Sequence, residues 1–509
     1  MKGLIKLTLI SLGLVCASLS IKAQVANGSF GYYNDALRYS QTYNFGSART
    51  AALAGSGMAL GGDIGSVGMN PAGLGLYNRS QFIFTPAINI FQSDTRFLDN
   101  NTPTEESNLD AGNLGLVFNF SNGKLNPSGW SSGSLGITFN RINDFRQNVL
   151  YRGFNGNNSI IDAMLEQANG LFPEELSGLA QVGYDHYLIN PLPGAEDIYD
   201  SFVLGFPDQS DQITRNGITD EVKISYGTNY DDKLYLGASV GFISTDYRYE
   251  RVFTESFVNQ PINTFIIDER LDVNGTGVNL SLGAIFRPND MVRIGASYTS
   301  PTWYNFSEES DIFYASDYNN YDVANWLDDN GNRLIQDDTV LNNLNTNTAL
   351  FVSEYNLRTP AKVAVGGAFL FGKHGFITAD VEYLDYTNSH VSSSDFFADA
   401  DNATISNLYQ SVTNIKLGGE FRYNIVRLRG GFARLGDPVV SGFDDLDRTR
   451  TIISGGVGLN FGKYFFDLAY SSMSYEESFS PYTLDGNANP VAITENNLNT
   501  TRFTIGLNF

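Results

Sequence analysis

Residues 415–432 read IKLGGEFRYNIVRLRGGF. Ile415, Leu417, Gly419, Phe421 and Tyr423 fall on one side of an extended chain, and Lys416, Gly418, Glu420 and Arg422 fall on the other. Past Asn424 and Ile425 the pattern resumes, with Val426, Leu428 and Phe432 opposite Arg427, Arg429 and Gly431. Successive side chains of a strand point to opposite faces, so this is a hairpin with one apolar face and one charged or small face. The alternation fits a half-buried sheet in water. It fits equally a membrane barrel, whose lipid-facing apolar residues alternate with polar or small lumen-facing ones.

The connections separate the two cases. We expect 14 strands, at roughly 80–91, 111–122, 133–152, 216–230, 233–249, 270–287, 291–304, 356–371, 376–388, 411–424, 426–435, 449–461, 463–475 and 498–509. From the third connection on, tight turns alternate with long loops. The turns are Asp231-Asp232, Pro288-Asn289-Asp290, 372–375, Asn424-Ile425 and Gly462; the loops lie near 153–215, 250–269, 305–355, 389–410, 436–448 and 476–497. Outer-membrane barrels have short periplasmic turns and long extracellular loops, and an even strand number returns both termini to one side. A soluble sandwich has no reason to gather its long connections at one end. The fold expected is all-β, a 14-stranded antiparallel transmembrane barrel.

Both chain ends agree. Lys2 and Lys6 precede an apolar run at 7–21, and Ala23-Gln24 fits a cleavage point, so residues 1–23 read as a secretory signal peptide. The run is short for a membrane anchor. Cys16, the single cysteine, lies within it, and Val15 departs from the small residue that precedes a lipoprotein cysteine. The mature chain then has no disulfide, thiolate metal site or thiol nucleophile. The chain ends TTRFTIGLNF (500–509), with Phe503, Ile505, Leu507 and Phe509 on one face. That ending resembles the signal read by the barrel assembly machinery, an expected partner in biogenesis. The expected location is the outer membrane of a Gram-negative bacterium.

Composition excludes other classes. Lys and Arg number 32 against 55 Asp and Glu, a net charge of −23, which argues against nucleic acid as a partner. No cofactor is expected. Catalysis is not expected either, because His186, His374 and His390 fall in loops or turns, away from any mid-strand Ser or Asp.

Ahead of the first strand, residues 65–79 read GSVGMNPAGLGLYNR, where Gly and Pro preclude a helix or sheet interior. NPAGL (70–74), preceded by ALAGSGMALGGD (52–63) and followed by 14 strands, resembles the hallmark of the FadL/TodX family of outer-membrane transporters of long-chain fatty acids and other hydrophobic compounds. RTPAKVAVGGAF (358–369) is similar to the family's Thr-Pro approach to a late strand. The resemblance covers the whole mature chain. It implies a hatch over 24–79 lying in the lumen of a barrel over 80–509, with Asn70, Pro71, Ala72 and Gly73 as the hatch motif. Small residues would let this segment approach the wall closely, either as a ligand-responsive plug or as a static tether.

In the family a kink in the third strand opens the wall sideways. Here Leu135, Ile137 and Phe139 keep one phase, and Arg141 then stands where an apolar residue is due, so Asn140, Arg141, Asn143 and Asp144 are candidates for a kink or for an ordinary exit from the membrane. Lys416, Glu420, Arg422, Arg427 and Arg429 face the lumen, either paired with acidic neighbours or holding a ligand carboxylate. Residues 160–172 place Ile160, Ile161, Met164, Leu165 and Ala168 on one helical face, a landing groove or a packing surface. Asp328, Asn330 and Asn332 begin like a calcium loop, but Arg333 and Thr339 break that pattern. No other metal site is expected.

The function implied is passive transport of fatty-acid-like or other small hydrophobic molecules by a monomer in contact with outer-membrane lipid. The alternative is a barrel shuttle that binds secreted proteins.

Overall fold

The computed structural model describes residues 31–43, 46–121, 129–327, 333, 335, 338–485 and 489–509. The expected signal peptide (1–23) and the calcium candidates Asp328, Asn330 and Asn332 lie outside these residues.

Among the described residues, 19 segments of one sheet compose 14 wall strands, because four strands are interrupted. They are β1 (Gln81–Phe97), β2 (Asn100–Ser121), β3 (Trp130–Asp144, then Gln147–Phe154), β4 (Asp208–Tyr230), β5 (Leu234–Ser256), β6 (Ile262–Phe286) and β7 (Val292–Thr299, Trp303–Asp322). β8 follows (Val340–Asn347, Phe351–Arg358, Lys362–Leu370), then β9 (Gly375–Asp385, His390–Ser393), β10 (Ser411–Tyr423), β11 (Val426–Leu435), β12 (Arg450–Asn460), β13 (Tyr464–Phe479) and β14 (Ala492–Asn508). Neighbours pair antiparallel, and β14 pairs with β1 to close the barrel.

Closure satisfies the backbone donors and acceptors internally, as a strand in hydrocarbon requires. The outer face carries an apolar belt. On β4 the exposed residues Tyr230, Tyr226, Ile224 and Val222 extend ~27 Å along the strand, close to the ~25 Å band of outer-membrane barrels. Tyr230, Phe286, Tyr423, Phe461, Tyr464 and Phe509 form an exposed aromatic girdle at the short-turn end.

Several expected loops are strand instead. The hairpins β5–β6 and β7–β8 run on through most of 250–269 and 305–355, and β13–β14 takes in both ends of 476–497; β1–β2 likewise runs on through most of 92–110. The outer face explains the difference. On β5, Leu236 and Phe242 are followed outward by Ser244, Asp246, Arg248 and Glu250; on β6, Leu282, Leu280 and Val278 give way to Thr276, Asn274, Asp272 and Arg270. Above the belt the wall stands in water, the apolar alternation stops, and the backbone ladder continues.

Inside lies the N-terminal segment. It contains α1 (Tyr32–Arg38), α2 (Ala48–Ala51) and tight turns at Ile64–Gly68 and Pro71–Leu76. Most residues from 46 to 75 are buried. Inward glycines of the wall receive them. A Cβ on Gly227 would lie 2.6 Å from the Leu74 Cβ, on Gly237 2.3 Å from the Pro71 carbonyl carbon, on Gly295 2.3 Å from the Met58 oxygen, and on Gly431 2.3 Å from the Leu53 carbonyl carbon.

At the long-loop end, α3 (Ile160–Ala168) is capped by Ser159, whose hydroxyl also donates to Glu255 at 2.6 Å. Ile160, Ile161, Met164 and Ala168 pack with α4 (Gly178–Asp185) and with Phe253, Phe265 and Tyr318 of the wall. This helical face is a packing surface.

Candidate functional site: lumen, wall gap and mouth

Asn70 precedes a proline and is extended, as steric contact with the ring requires. Its Oδ1 accepts from the Ala72 N–H at 3.1 Å, and its Nδ2 donates to the Met58 carbonyl at 2.8 Å and the Ala284 carbonyl of β6 at 3.3 Å. One side chain thus fixes its own turn, ties that turn to residue 58 and reaches the wall. Pro71 presets the turn, and the Gly73 N–H donates to the Asn70 carbonyl at 3.0 Å. Asp380 of β9 holds the other side of the segment, accepting from the N–H groups of Gly57 and Met58 at 2.6 and 2.9 Å. Sequence reasoning alone misses Asp380. The signal it offers is a carboxylate at an inward strand position.

Above this segment the lumen is aromatic. Tyr39 stacks on Phe306 at 4.5 Å between centroids, Phe306 lies 5.0 Å from Tyr304 and 5.2 Å from Tyr355, and all four are buried. A cavity of about 160 Å³ runs between the segment and the wall, lined by Tyr39, Met58, Met69, Ile142 and Ile243 together with Asn279 and Lys416.

The wall is discontinuous at β3. Strands β2 and β3 pair from Ser121 with Ser132 up to Asn113 with Asn140 and then part. β3 shifts register between Arg141 and Asn143 where it meets β4, breaks at Phe145 and Arg146, and resumes. The resumed stretch pairs with β4 but not with β2. Its side chains reach both β14 and β1: Gln147 donates to Asn496 of β14 at 2.9 Å, and Tyr151 packs on Phe97 of β1 at 4.8 Å. Residues 100–112 of β2 therefore pair only with β1. Charges bridge the gap at the outer edge of the apolar belt. Arg141 bonds Asp110 and, at 3.0 Å, Asp220; Arg146 bonds Asp110 at 2.9 Å and Asp144 at 3.1 Å. Asn140 turns inward and accepts from Asn113 at 2.6 Å, and Asn143 donates to the Gln41 carbonyl of the N-terminal segment at 3.3 Å.

The five charges read as facing the lumen do not form one group. Lys416 stands apart, 3.4 Å from Glu382, which Lys362 also approaches at 3.7 Å. Glu420, Arg422, Arg427 and Arg429 gather at the short-turn mouth. Glu420 accepts from Arg422 at 2.5 Å and Arg429 at 2.6 Å, with Arg49 of the N-terminal segment 3.6 Å away. Arg429 also meets Asp467 at 2.5 Å. Arg427 instead donates to the carbonyls of Asn424 and Val426. Replacing Arg429 by Met leaves two buried carboxylates sharing fewer cations. We expect a loss of about 3–5 kcal/mol, the cost of breaking a buried pair. Heat- or urea-induced loss of the compact electrophoretic form measures it.

No protein-family model and no curated protein matches the chain. Solved structures do. The P. putida toluene transporter TodX superposes with a TM-score of 0.51 at 13% identity, covering 92% of this chain and 99% of TodX. A Pseudomonas aeruginosa FadL homologue gives a TM-score of 0.54 at 12% identity, covering 90% and 98%. The chain has the FadL/TodX fold. That fold accounts for the closed barrel of 14 strands and extends over nearly the whole chain.

Proposed function

We propose that this protein carries small hydrophobic molecules passively across the outer membrane, with residues 24–79 as a hatch and the short-turn end toward the periplasm. The observation that carries this reading is the parting of β2 and β3 beside an aromatic lumen that the N-terminal segment fills. A water-filled pore would serve polar solutes; a filled lumen with an interrupted wall gives an apolar solute an alternative to crossing the lipopolysaccharide leaflet. Polar bridges rather than hydrogen-bonded strands close the gap, so parting them leaves the rest of the wall ladder intact. No energy source is needed for a downhill ligand. The transporters that share the fold point the same way, and a fatty-acid-like cargo is the specific form we propose.

The test is uptake of a labelled long-chain fatty acid and of a labelled aromatic hydrocarbon by cells carrying the intact protein or Asn70→Ala/Pro71→Ala. The double variant removes three side-chain hydrogen bonds of the motif. We expect uptake to fall several-fold at unchanged barrel abundance. Normal uptake would make the motif a tether, and no uptake by the intact protein would overturn the transport reading.

A further inference from the structure

The short-turn mouth contains a built cavity of about 480 Å³, the size of a small-molecule site. Six guanidinium groups line it, from Arg49, Arg79, Arg293, Arg422, Arg427 and Arg429, against three carboxylates, from Asp63, Glu420 and Asp467. The sign is opposite to that of the chain, whose net charge is −23. The carboxylates are engaged: Glu420 and Asp467 by Arg422, Arg429 and Arg49, and Asp63 by the Ser47 hydroxyl at 2.8 Å and the Gly65 N–H at 2.9 Å. Among the described residues, Arg79, Arg293 and Arg427 have no ion-pair partner. Arg293 donates to the Leu60 carbonyl at 2.7 Å, and its Nε is buried without a partner. The rest of the lining is mixed, with Leu60, Leu76, Leu370, Phe376 and Leu459 in its apolar part beside the amides of Asn78, Gln81, Asn460 and Asn508.

We infer that this mouth is a binding site for a small amphiphilic anion, its carboxylate or phosphate head held by Arg293 and Arg427 and its apolar body against the leucines and Phe376. Guanidinium forks suit such heads, and a site partly shielded from water strengthens the pairing. The site goes beyond the transport reading, since it rests on the mouth alone and not on the wall gap.

The experiment measures equilibrium binding of labelled octanoate and labelled octanol to the full-length barrel in an uncharged detergent. We expect saturable octanoate binding at least about tenfold tighter than octanol, because only the anion gains charge-assisted hydrogen bonds. Added salt should weaken octanoate and not octanol. Arg293→Gln/Arg427→Gln leaves the wall's ion pairs in place and should cost octanoate at least about tenfold, with octanol unchanged. Octanol binding as tightly as octanoate, salt-independent octanoate binding, or full affinity in a double variant that keeps its compact electrophoretic form would each overturn the inference. Inorganic phosphate displacing label as well as unlabelled octanoate would overturn the amphiphile part, since the apolar lining would then contribute nothing. Hydrophobic uptake without octanoate binding defeats this site alone, and the reverse result defeats only the transport reading.

Discussion

Removing residues 24–75 is expected to leave a barrel that folds, inserts and conducts ions several-fold better than the intact protein. The wall's backbone bonds close from β14 to β1 without help from the segment. What the wall loses on deletion is specific. Asp380 loses two N–H donors, Ala284 loses the Asn70 amide, and Glu420 loses Arg49. Water entering the emptied lumen replaces each of these partners. The inward glycines that meet residues 53–74 would then line open space, and a barrel of this strand number without filling has room for water. Planar-bilayer conductance of the two proteins, at matched insertion, decides the matter. Equal conductance would mean that the segment does not occlude the pore.

Substituting Gly283 by Val is expected to be severe in the intact protein and nearly silent in the deletion. The Asn70 Oδ1 would lie 2.0 Å from the new Cβ, and the Pro71 Cδ 3.0 Å from it. Neither can move freely: Asn70 is fixed by three hydrogen bonds, and the proline is fixed by its ring. Overpacking of this kind costs ~1–3 kcal/mol in a core that can adjust, and more in one that cannot. The segment should therefore leave its seat, raising conductance toward that of the deletion, or the barrel should accumulate poorly. In the background lacking residues 24–75, the valine faces an empty lumen and suits a strand, so abundance and conductance should match those of the deletion alone. A defect of equal size in both backgrounds would place the cause in the wall rather than in the contact with Asn70.

The candidate site is legible in part from the sequence. Period-two alternation is enough to turn Glu420, Arg422, Arg427 and Arg429 inward, because facing is a property of one strand. It cannot tell that Lys416 belongs with Glu382 while the other four gather at the mouth, since partners depend on the relative heights of neighbouring strands. Arg141, out of place in an apolar phase, marks the break in β3. Nothing local to it names Asp110 and Asp220 as its partners. The Asn70–Pro71 turn is legible as a turn, and its hold on Met58 and Ala284 is not.

The wall is legible in the order of residues: strand number, alternation of connections, the apolar belt and the charged inward face of β10 and β11. These are local patterns imposed by lipid on one side of a pleated strand. How far the strands rise above the belt emerges in three dimensions, because hydrogen bonding in water sets no hydrophobic pattern on their outer face. The folded chain alone shows why Gly227, Gly237, Gly283, Gly295 and Gly431 are glycines. Each is small because a backbone or side chain 150 or more residues away in sequence rests against it. Such a contact is set by the closing of the barrel around its own N-terminus.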